Sequence, residues 1–274
     1  LEEHENLYFF PGGCSHSSPT ESTSKICRLG DASSAKSIVV MGDSHAQMWM
    51  PAILRMAEQD GWAVLPVVKS ACVPNTTWTN SRDFGIDGTR LDAHVRVCRA
   101  WYSWALRQVK ALHPDVTLIA GASGGASGHQ AEAIKRGFSS LTTAAKSFSK
   151  DVVVVADTEG IAQQPVDCLL GRHATMGRCT TTWSEDRFYF NNDLAAFSKG
   201  HDVRFIKTRG WFCFELQCPT VIGHTIVYRD TGHLTKAYAQ ELAEPFRASF
   251  MEAIRSENTS EKTSGKIRRK RASA

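Results

Sequence analysis

The stretch SIVVMGDSH, residues 37–45, decides the fold of this 274-residue chain. Its first five residues form a short apolar run typical of a buried β-strand, and the Gly-Asp-Ser-His that follows leads directly into a helical pattern. Four more short apolar runs follow along the chain, and helix-forming segments separate them. This alternation predicts a parallel sheet whose two faces are both covered by helices.

The predicted elements have definite bounds. The strands are expected at residues 37–41, 63–69, 116–120, 152–156 and 203–207. The helices are expected at residues 46–59, 91–112, 130–149, 185–199 and 234–255, the last with a kink at Pro245. Crossovers between parallel strands are right-handed, so the chain is predicted to be an α/β protein. Its architecture is a three-layer α/β/α sandwich with a mostly parallel five-stranded sheet in the flavodoxin-like order 2-1-3-4-5.

Composition indicates one globular domain with two ends outside it. A hydrophobic content of 42% and a charged content of 22% exclude disorder throughout. No apolar run approaches the ~18 residues that a membrane-spanning helix needs. Residues 1–13 resemble a protease-cleavage tag with a Pro-Gly-Gly linker, and residues 256–274 form a basic tail that is expected to be disordered.

The remaining residues, 14–255, are predicted to form a single domain. The formal net charge is +4, but acidic and basic residues are mixed throughout this domain. No nucleic-acid partner is therefore expected. For the basic tail, a solvated segment is favoured over contact with nucleic acid or anionic lipid.

The eight cysteines predict disulfide bonds and an oxidising compartment. None forms a CxxC pair, and zinc sites usually show two close-spaced pairs of ligands. The simplest connectivity joins sequence neighbours: Cys14 with Cys27, Cys72 with Cys98, Cys168 with Cys179, and Cys213 with Cys218. The alternative is a cytosolic protein with buried free thiols.

Ser44 lies where a nucleophile is useful in a sheet of this kind. In open α/β sheets the carboxyl ends of the strands beside the switch point form the ligand crevice, and Ser44 follows the first strand. It also begins a helix, whose backbone N–H groups can stabilise developing negative charge. The alternative is that Ser44 only caps this helix, since serine and aspartate are preferred capping residues.

A serine nucleophile needs a base and a carboxylate that orients the base. The segment Asp230-Thr231-Gly232-His233 offers both. The three-residue separation lets His233 face the crevice while Asp230 holds the far ring nitrogen, and Gly232 is expected to free the backbone to turn. His45 is expected to diverge from its neighbour Ser44. The other histidines of the domain lack this aspartate spacing and are interpreted as surface or core residues.

Two long connections, residues 73–88 and 157–184, interrupt the alternation and are predicted to be pinned or functional. Several tryptophans are candidates for stacking on a sugar, with core packing as the alternative: Trp49, Trp78, Trp183 and Trp211. Three others lie in regular patterns and are interpreted as core: Trp62, Trp101 and Trp104.

The GDS block at residues 42–44 and the DxxH block at residues 230–233 together resemble the SGNH hydrolase superfamily. The closer resemblance is to the SGNH domains that follow a membrane-embedded family 3 acyltransferase in bacterial envelope proteins. It rests on residues 40–46, 69–74, 213–219 and 228–235 and spans about residues 27–255. It implies that Ser44 is the nucleophile, His233 the general base and Asp230 the residue that orients it.

The resemblance further implies an oxyanion hole, and here the chain departs from the family pattern. Ala71 stands where the family has glycine, and no asparagine follows the third strand. The candidate donors are therefore Ser44, Ala71 and Ser123, with Asn75 or a loop amide as alternatives for the third position. One missing donor typically costs ~10²- to 10³-fold in rate, which favours a transferase over a fast esterase.

The resemblance implies an O-acyltransferase that moves an acyl group onto a cell-envelope polysaccharide through an acyl-serine intermediate. The expected partners are a membrane-embedded acyltransferase domain, N-terminal in the full-length protein, and a glycan acceptor. The expected location is the periplasm or the outer face of the cytoplasmic membrane. The alternatives are a carbohydrate or lipid esterase with the same residues and an inactive glycan-binding domain. No metal or organic cofactor is expected.

Overall fold

The central feature of the fold is a six-stranded sheet, seen in a computed structural model that describes residues 10–15, 18–78, 82, 89–123, 126 and 128–255. The strands are β1 (Leu29–Gly30), β2 (Ser37–Gly42), β3 (Ala63–Val68), β4 (Val116–Ala120), β5 (Asp151–Val155), β6 (Thr180–Thr182), β7 (Arg204–Ile206), β8 (Gln217–Pro219), β9 (Val221–Ile222) and β10 (Thr225–Ile226).

The sheet order is β1-β3-β2-β4-β5-β7. Its five parallel strands follow the predicted 2-1-3-4-5 order, so the predicted fold class is confirmed. The prediction of five strands was one short, because β1 adds an antiparallel pair at the edge of β3. A two-residue strand is too short to show any hydrophobic period.

The helices are α1 (Ser44–Gln47), α2 (Met50–Asp60), α3 (Thr89–Leu112), α4 (Gly128–Lys146), α5 (Pro165–Leu169), α6 (Tyr189–Gly200), α7 (Lys236–Glu241) and α8 (Ala243–Arg255). Two predicted helices are each divided in two. The closing helix breaks at Leu242 instead of kinking at Pro245. Proline has no N–H for the carbonyl of Glu241, so the chain ends one helix and places Pro245 in the first turn of the next.

Helices cover both faces of the sheet, which gives the predicted three layers. Ile38 and Val40 of β2 pack into an apolar cluster with α2 and α8. Val39 and Met41 face the other way, into a second cluster with α3 and α4. All four side chains are fully buried, as expected for a parallel strand covered on both sides.

All four predicted disulfides are present: Cys14–Cys27, Cys72–Cys98, Cys168–Cys179 and Cys213–Cys218. The predicted pinning of the second long connection is confirmed, because Cys168–Cys179 closes a loop within residues 157–184. That connection also contains α5 and β6, and β6 pairs with β8. The loops are therefore held by covalent and backbone bonds.

The predicted ends of the domain lie mostly outside the described residues. This holds for residues 1–9 of the tag-like segment, for the whole basic tail 256–274, and for much of the connection 73–88. Phe10, however, is only 8% exposed and belongs to the larger apolar cluster. The expectation that all of residues 1–13 stand apart from the fold is therefore wrong for Phe10, because its ring buries apolar area against the domain.

Candidate active site

Ser44 follows the end of β2, where Gly42 packs closely against Ala120 of β4. A Cβ atom on Gly42 would lie 1.8 Å from the carbonyl oxygen of Ala120, so only glycine fits at this position. The next residue, Asp43, is the N-cap of α1, and its carboxylate accepts the N–H of His45 at 2.8 Å. Ser44 is the first residue inside the helix. The alternative that Ser44 is itself the cap is therefore wrong.

The helix that begins at Ser44 is a single turn. α1 has four residues, and the chain passes through Met48 and Trp49 before α2 begins. The N–H groups of Ala46 and Gln47 are bonded to the backbone carbonyl of Asp43. Two of the N–H groups that were expected to stabilise negative charge at this helix start are therefore already engaged, and a single turn contributes only a small dipole.

The structure brings the three predicted residues into one hydrogen-bonded chain. Nε2 of His233 lies 2.9 Å from Oγ of Ser44, although the two residues are 189 positions apart. Nδ1 of His233 lies 2.9 Å from Oδ2 and 3.0 Å from Oδ1 of Asp230. A serine, an imidazole and a carboxylate in this order are arranged for proton transfer from the hydroxyl to the ring.

The Asp230 carboxylate is held in its charged form. Burial by itself raises the pKa of this carboxyl, but hydrogen bonds from His233 and Gly232 outweigh burial and hold the pKa well below its usual range. The backbone N–H groups of Gly232 and His233 donate to Oδ1 at 2.9 and 2.7 Å, and Nε of Arg229 lies 3.5 Å from Oδ2. A fixed negative charge therefore faces Nδ1 of His233.

The expectation that Gly232 frees the backbone to turn is wrong. Gly232 is not among the glycines with positive φ. A Cβ atom there would lie 3.4 Å from Cε1 and 3.7 Å from Nε2 of His45. An alanine would therefore fit here in ordinary contact with the His45 ring, a neighbour that the sequence pattern could not show.

His45 does not diverge from the site, and this is the main residue that the sequence analysis missed. Its ring centre lies 4.5 Å from that of His233, and its Nδ1 lies 2.6 Å from Oδ1 of Asp157. Burial opposes a charge on this ring, but the Asp157 carboxylate outweighs burial and raises the pKa of His45 to about 9. The partner is 112 residues away, so no local signal could have identified it.

Asp157 ties His45 to the loop after β4. Its Oδ2 accepts the backbone N–H of Ser123 at 2.7 Å and the hydroxyl at 3.1 Å. Ser123 was predicted as an oxyanion-hole donor, but both of its donors are directed at Asp157 instead. The neighbouring N–H of Ala122 is bonded to Asp43. The N–H groups of Ala122 and Ser123, in the loop after β4, are therefore already bonded to buried carboxylates.

Two other oxyanion-hole candidates, Asn75 and Ala71, are each held in a turn. The side-chain oxygen of Asn75 accepts the N–H groups of Thr77 and Trp78, so it shapes a local turn. Ala71 is exposed and has a φ of 60°, a backbone conformation that glycine adopts more easily than alanine. The Ala71 turn is tied to α3, since His94 Nε2 lies 2.8 Å from the Ala71 carbonyl oxygen and Cys72 is joined to Cys98.

The tryptophans divide between core and site. Trp49 is fully buried between α2 and α8, and Trp78 is 8% exposed with its Nε1 donating to the carbonyl of Ala133. The sugar-stacking interpretation is therefore wrong for both. Trp183 is half-buried and lines a pocket of about 650 Å³ together with Asp230 and His233. It is the candidate that remains beside the site.

One group of potential metal ligands exists among the described residues. Atoms of Cys72, His94 and Cys98 lie within 4.8 Å of one another. Cys72 and Cys98 form a disulfide, and a disulfide sulfur is not the thiolate that binds a metal. The group therefore serves to fix the turn at Ala71.

Comparisons with known proteins identify the family of the chain. The family model described as "SGNH domain (fused to AT3 domains)" matches residues 13–248. No curated protein matches the chain in a sequence search. The lipopolysaccharide acetyltransferase periplasmic domain of Salmonella ser. Paratyphi A is similar in fold, at 14% identity over 78% of this chain and 83% of that chain, with a TM-score of 0.60.

Two further solved structures are more distant. A putative acylhydrolase from Bacteroides fragilis has 11% identity over 80% of this chain and 88% of that chain, with a TM-score of 0.46. A catalytic mutant of an acetylxylan esterase from Geobacillus stearothermophilus has 12% identity over 79% and 94%, also with a TM-score of 0.46. The family assignment rests on the family model, which spans most of the chain. The chain therefore belongs to the family of SGNH domains that are fused to AT3 domains.

Proposed function

We propose that the chain is an O-acyltransferase domain that transfers an acyl group, acetyl or similar, to a hydroxyl of a bacterial cell-envelope polysaccharide. The observation that carries this proposal is the chain of contacts from Ser44 through His233 to Asp230. It supports a two-step reaction in which the enzyme holds the acyl group on Ser44 between donor and acceptor.

In the first step, Ser44 Oγ attacks the acyl carbonyl of the donor while His233 Nε2 takes the hydroxyl proton. Asp230 stabilises the resulting imidazolium through Nδ1. Collapse of the tetrahedral intermediate breaks the bond to the donor group, which receives the proton from His233. The acyl group remains as an ester on Ser44.

In the second step, His233 removes the proton of a glycan hydroxyl, whose oxygen attacks the acyl-Ser44 carbonyl. Collapse returns the proton to Oγ and releases the acylated glycan. The backbone N–H groups of Ser44 and Ala71 are the proposed donors to the oxyanion in both steps. The fixed turn at Ala71 supports this role, because donors are effective when they need no reorganisation.

Membership of the AT3-fused family supports a transferase over an esterase. In the proposed full-length protein, a membrane-embedded acyltransferase domain precedes this domain and supplies the acyl group. Among the described helices, none has the length and apolar content to cross a membrane. The four disulfides support an extracytoplasmic location, in the periplasm or on the outer face of the cytoplasmic membrane.

The test is intact mass spectrometry after incubation with an activated acyl ester, with and without envelope glycans. We expect the wild type to form an acyl adduct and Ser44→Ala to form none. When a suitable glycan is added, the acyl group should move from the protein to the glycan. Adduct that is converted only to free acid with every glycan tried would support the esterase. Absence of both adduct and turnover would support an inactive glycan-binding domain.

A further inference from the structure

The 650 Å³ pocket lies on the His233 side of the Ser44 hydroxyl. Asp230 and His233 line it, whereas Ser44 is not among the described residues that do. In acyl transfer by a serine–histidine pair, the histidine protonates the leaving group and deprotonates the acceptor. The acceptor must therefore approach from the histidine side. The pocket borders the His233 ring that such an acceptor would have to reach, and its volume of about 650 Å³ is within the range of about 300–1,000 Å³ of small-molecule sites.

Trp183 and Arg187 form one wall of this pocket. The guanidinium carbon of Arg187 lies 4.4 Å from the centre of the Trp183 ring, in a cation–π contact. Nε and Nη2 of Arg187 donate to the carbonyl of Glu159 at 3.1 and 2.8 Å, and Nε1 of Trp183 donates to the carbonyl of Gly160 at 3.2 Å. Nη1 of Arg187 has no hydrogen-bond partner among the described residues. These contacts hold the two side chains in place, and Nη1 of Arg187 can still donate a hydrogen bond to a ligand.

The acidic groups of the pocket are already engaged. Asp157 is bonded to His45 and Ser123, and Asp230 is bonded to His233. No described carboxylate oxygen is within ion-pair distance of the Arg187 guanidinium. The Arg187 guanidinium therefore carries a positive charge that forms no ion pair with the acidic groups of the pocket.

Glu159, which follows the Asp157–Thr158 segment, is the carboxyl whose backbone Arg187 contacts. Burial raises the pKa of Glu159 to about 7, while a hydrogen bond from Asn191 favours its charged form. At neutral pH this buried carboxyl is therefore only partly ionised. It compensates the charge of Arg187 incompletely.

We propose that this pocket is the acceptor subsite, and that it binds a sugar residue carrying a carboxylate or a phosphate, with the anionic group on Arg187. The assignment to the acceptor rests on the proposed transferase function. The anionic group is what a donor such as Arg187 recognises, since guanidinium N–H groups bind carboxylate and phosphate oxygens. The hydroxyl groups of a neutral sugar can accept hydrogen bonds from the guanidinium, but they carry no negative charge to compensate it.

The first experiment measures binding without catalysis, in Ser44→Ala protein. Calorimetric titrations compare a galacturonate oligomer, a hexose phosphate and a neutral maltooligosaccharide. We expect at least one of the anionic ligands to bind at least tenfold more tightly than the neutral one. Adding Arg187→Gln should weaken that binding about tenfold, because a charge-assisted hydrogen bond is lost.

Arg55→Gln in the same background is the matched control, because Arg55 is exposed on α2 and lies outside the pocket lining. It should leave the affinity unchanged. Binding should also change the tryptophan fluorescence, and Trp183→Phe should remove that change. The carboxylate and phosphate arms distinguish the two kinds of acidic sugar. Equal affinity for all three ligands, no binding of any, or full affinity in Arg187→Gln would each overturn the subsite.

The second experiment follows the acyl group in protein with Ser44 intact. With the anionic acceptor present, Arg187→Gln should lower the ratio of acylated sugar to free acid about tenfold, because water does not need the pocket. A ratio equal to that of the wild type would overturn the acceptor assignment. Failure of Ser44 to acquire an acyl group would instead contradict the proposed function. The binding data would still show whether the pocket binds an anionic sugar.

Discussion

Two histidine–aspartate pairs lie side by side at this site, and they differ in almost every other respect. Asp230 and His233 are three residues apart in one loop and are partly exposed. Asp157 and His45 are 112 residues apart, and their side chains are 1% and 10% exposed. The first pair contacts Ser44, whereas the second packs against the first. The difference teaches that the proposed proton exchange needs a partly exposed histidine beside Ser44, whereas the buried pair is suited to holding a charge in place.

The largest expected effect is that of Ser44→Ala, which removes the group that only the first pair contacts. We expect turnover of an acetyl ester to fall by roughly 10⁶-fold, as when a triad serine is lost. The free energy of unfolding should change by less than about 1 kcal/mol, because Asp43 already caps α1. Ester hydrolysis and urea unfolding measure the two quantities. Unchanged turnover would remove Ser44 from the mechanism.

Asp230→Asn should have the next largest effect. An amide cannot hold the His233 ring as a carboxylate does, and the loss in rate should reach ~10⁴-fold. The matched control is Asp167→Asn, an exposed aspartate on α5, which should retain the wild-type rate. A rate loss smaller than tenfold, with a large loss of stability, would show that Asp230 acts only structurally.

For Asp157→Asn, in contrast to Asp230→Asn, we expect a large loss of stability and a small loss of rate. It removes one partner of a buried ion pair, and such changes cost roughly 3–5 kcal/mol of stability. The rate should fall by only about tenfold, because His45 contacts His233 and not Ser44 in the described contacts. Chemical unfolding and ester hydrolysis on the same samples test this. If Asp157→Asn lost as much rate as Asp230→Asn without loss of stability, the two pairs would not have separate roles.

The two pairs should also respond to pH in opposite directions. The pKa of His45 is raised to about 9, so its contribution to stability is complete below its unfolded value near 6.5 and is lost as pH rises through 9. The shift corresponds to about 3 kcal/mol. The lowered pKa of Asp230 instead gives stability above its unfolded value near 4, which is lost in acid.

Urea unfolding between pH 7.5 and pH 9.5 measures the part due to His45, because Glu159, with a pKa of about 7, has largely lost its proton by the start of this range. The free energy of unfolding should decline across this range in the wild type, and Asp157→Asn should flatten the decline. The same slope in both proteins would show that Asp157 does not hold the charge on His45.

The smallest expected effect is that of Gly232→Ala, which adds a methyl group between the two pairs. The new Cβ would lie 3.4 Å from the His45 ring, an ordinary contact distance. We expect less than about 1 kcal/mol loss of stability and less than about threefold loss of rate. Gly42→Ala is the contrasting variant, because its Cβ would clash with the Ala120 carbonyl. Equal effects of both substitutions would contradict the described packing around His45.

Local patterns were sufficient to predict the parallel strands, their order and the neighbouring disulfides. The runs at β2, β3 and β4 are continuous and apolar because both faces of these strands are buried. Local patterns were not sufficient for β1 or for the break at Leu242. Two residues cannot show a period, and the position of a helix break depends on what the next segment packs against.

The sequence by itself determined which residues carry the proposed chemistry, because they stand in two short blocks. Ser44 is placed by the strand before it, and the Asp230–His233 contact spans one loop. Tertiary structure alone decided which groups surround them. It brought Asp157 to His45, engaged Ser123 with Asp157, and set Trp183 with Arg187 beside His233. The physical reason is that these contacts join loops from different strands, and their spacing along the chain carries no period.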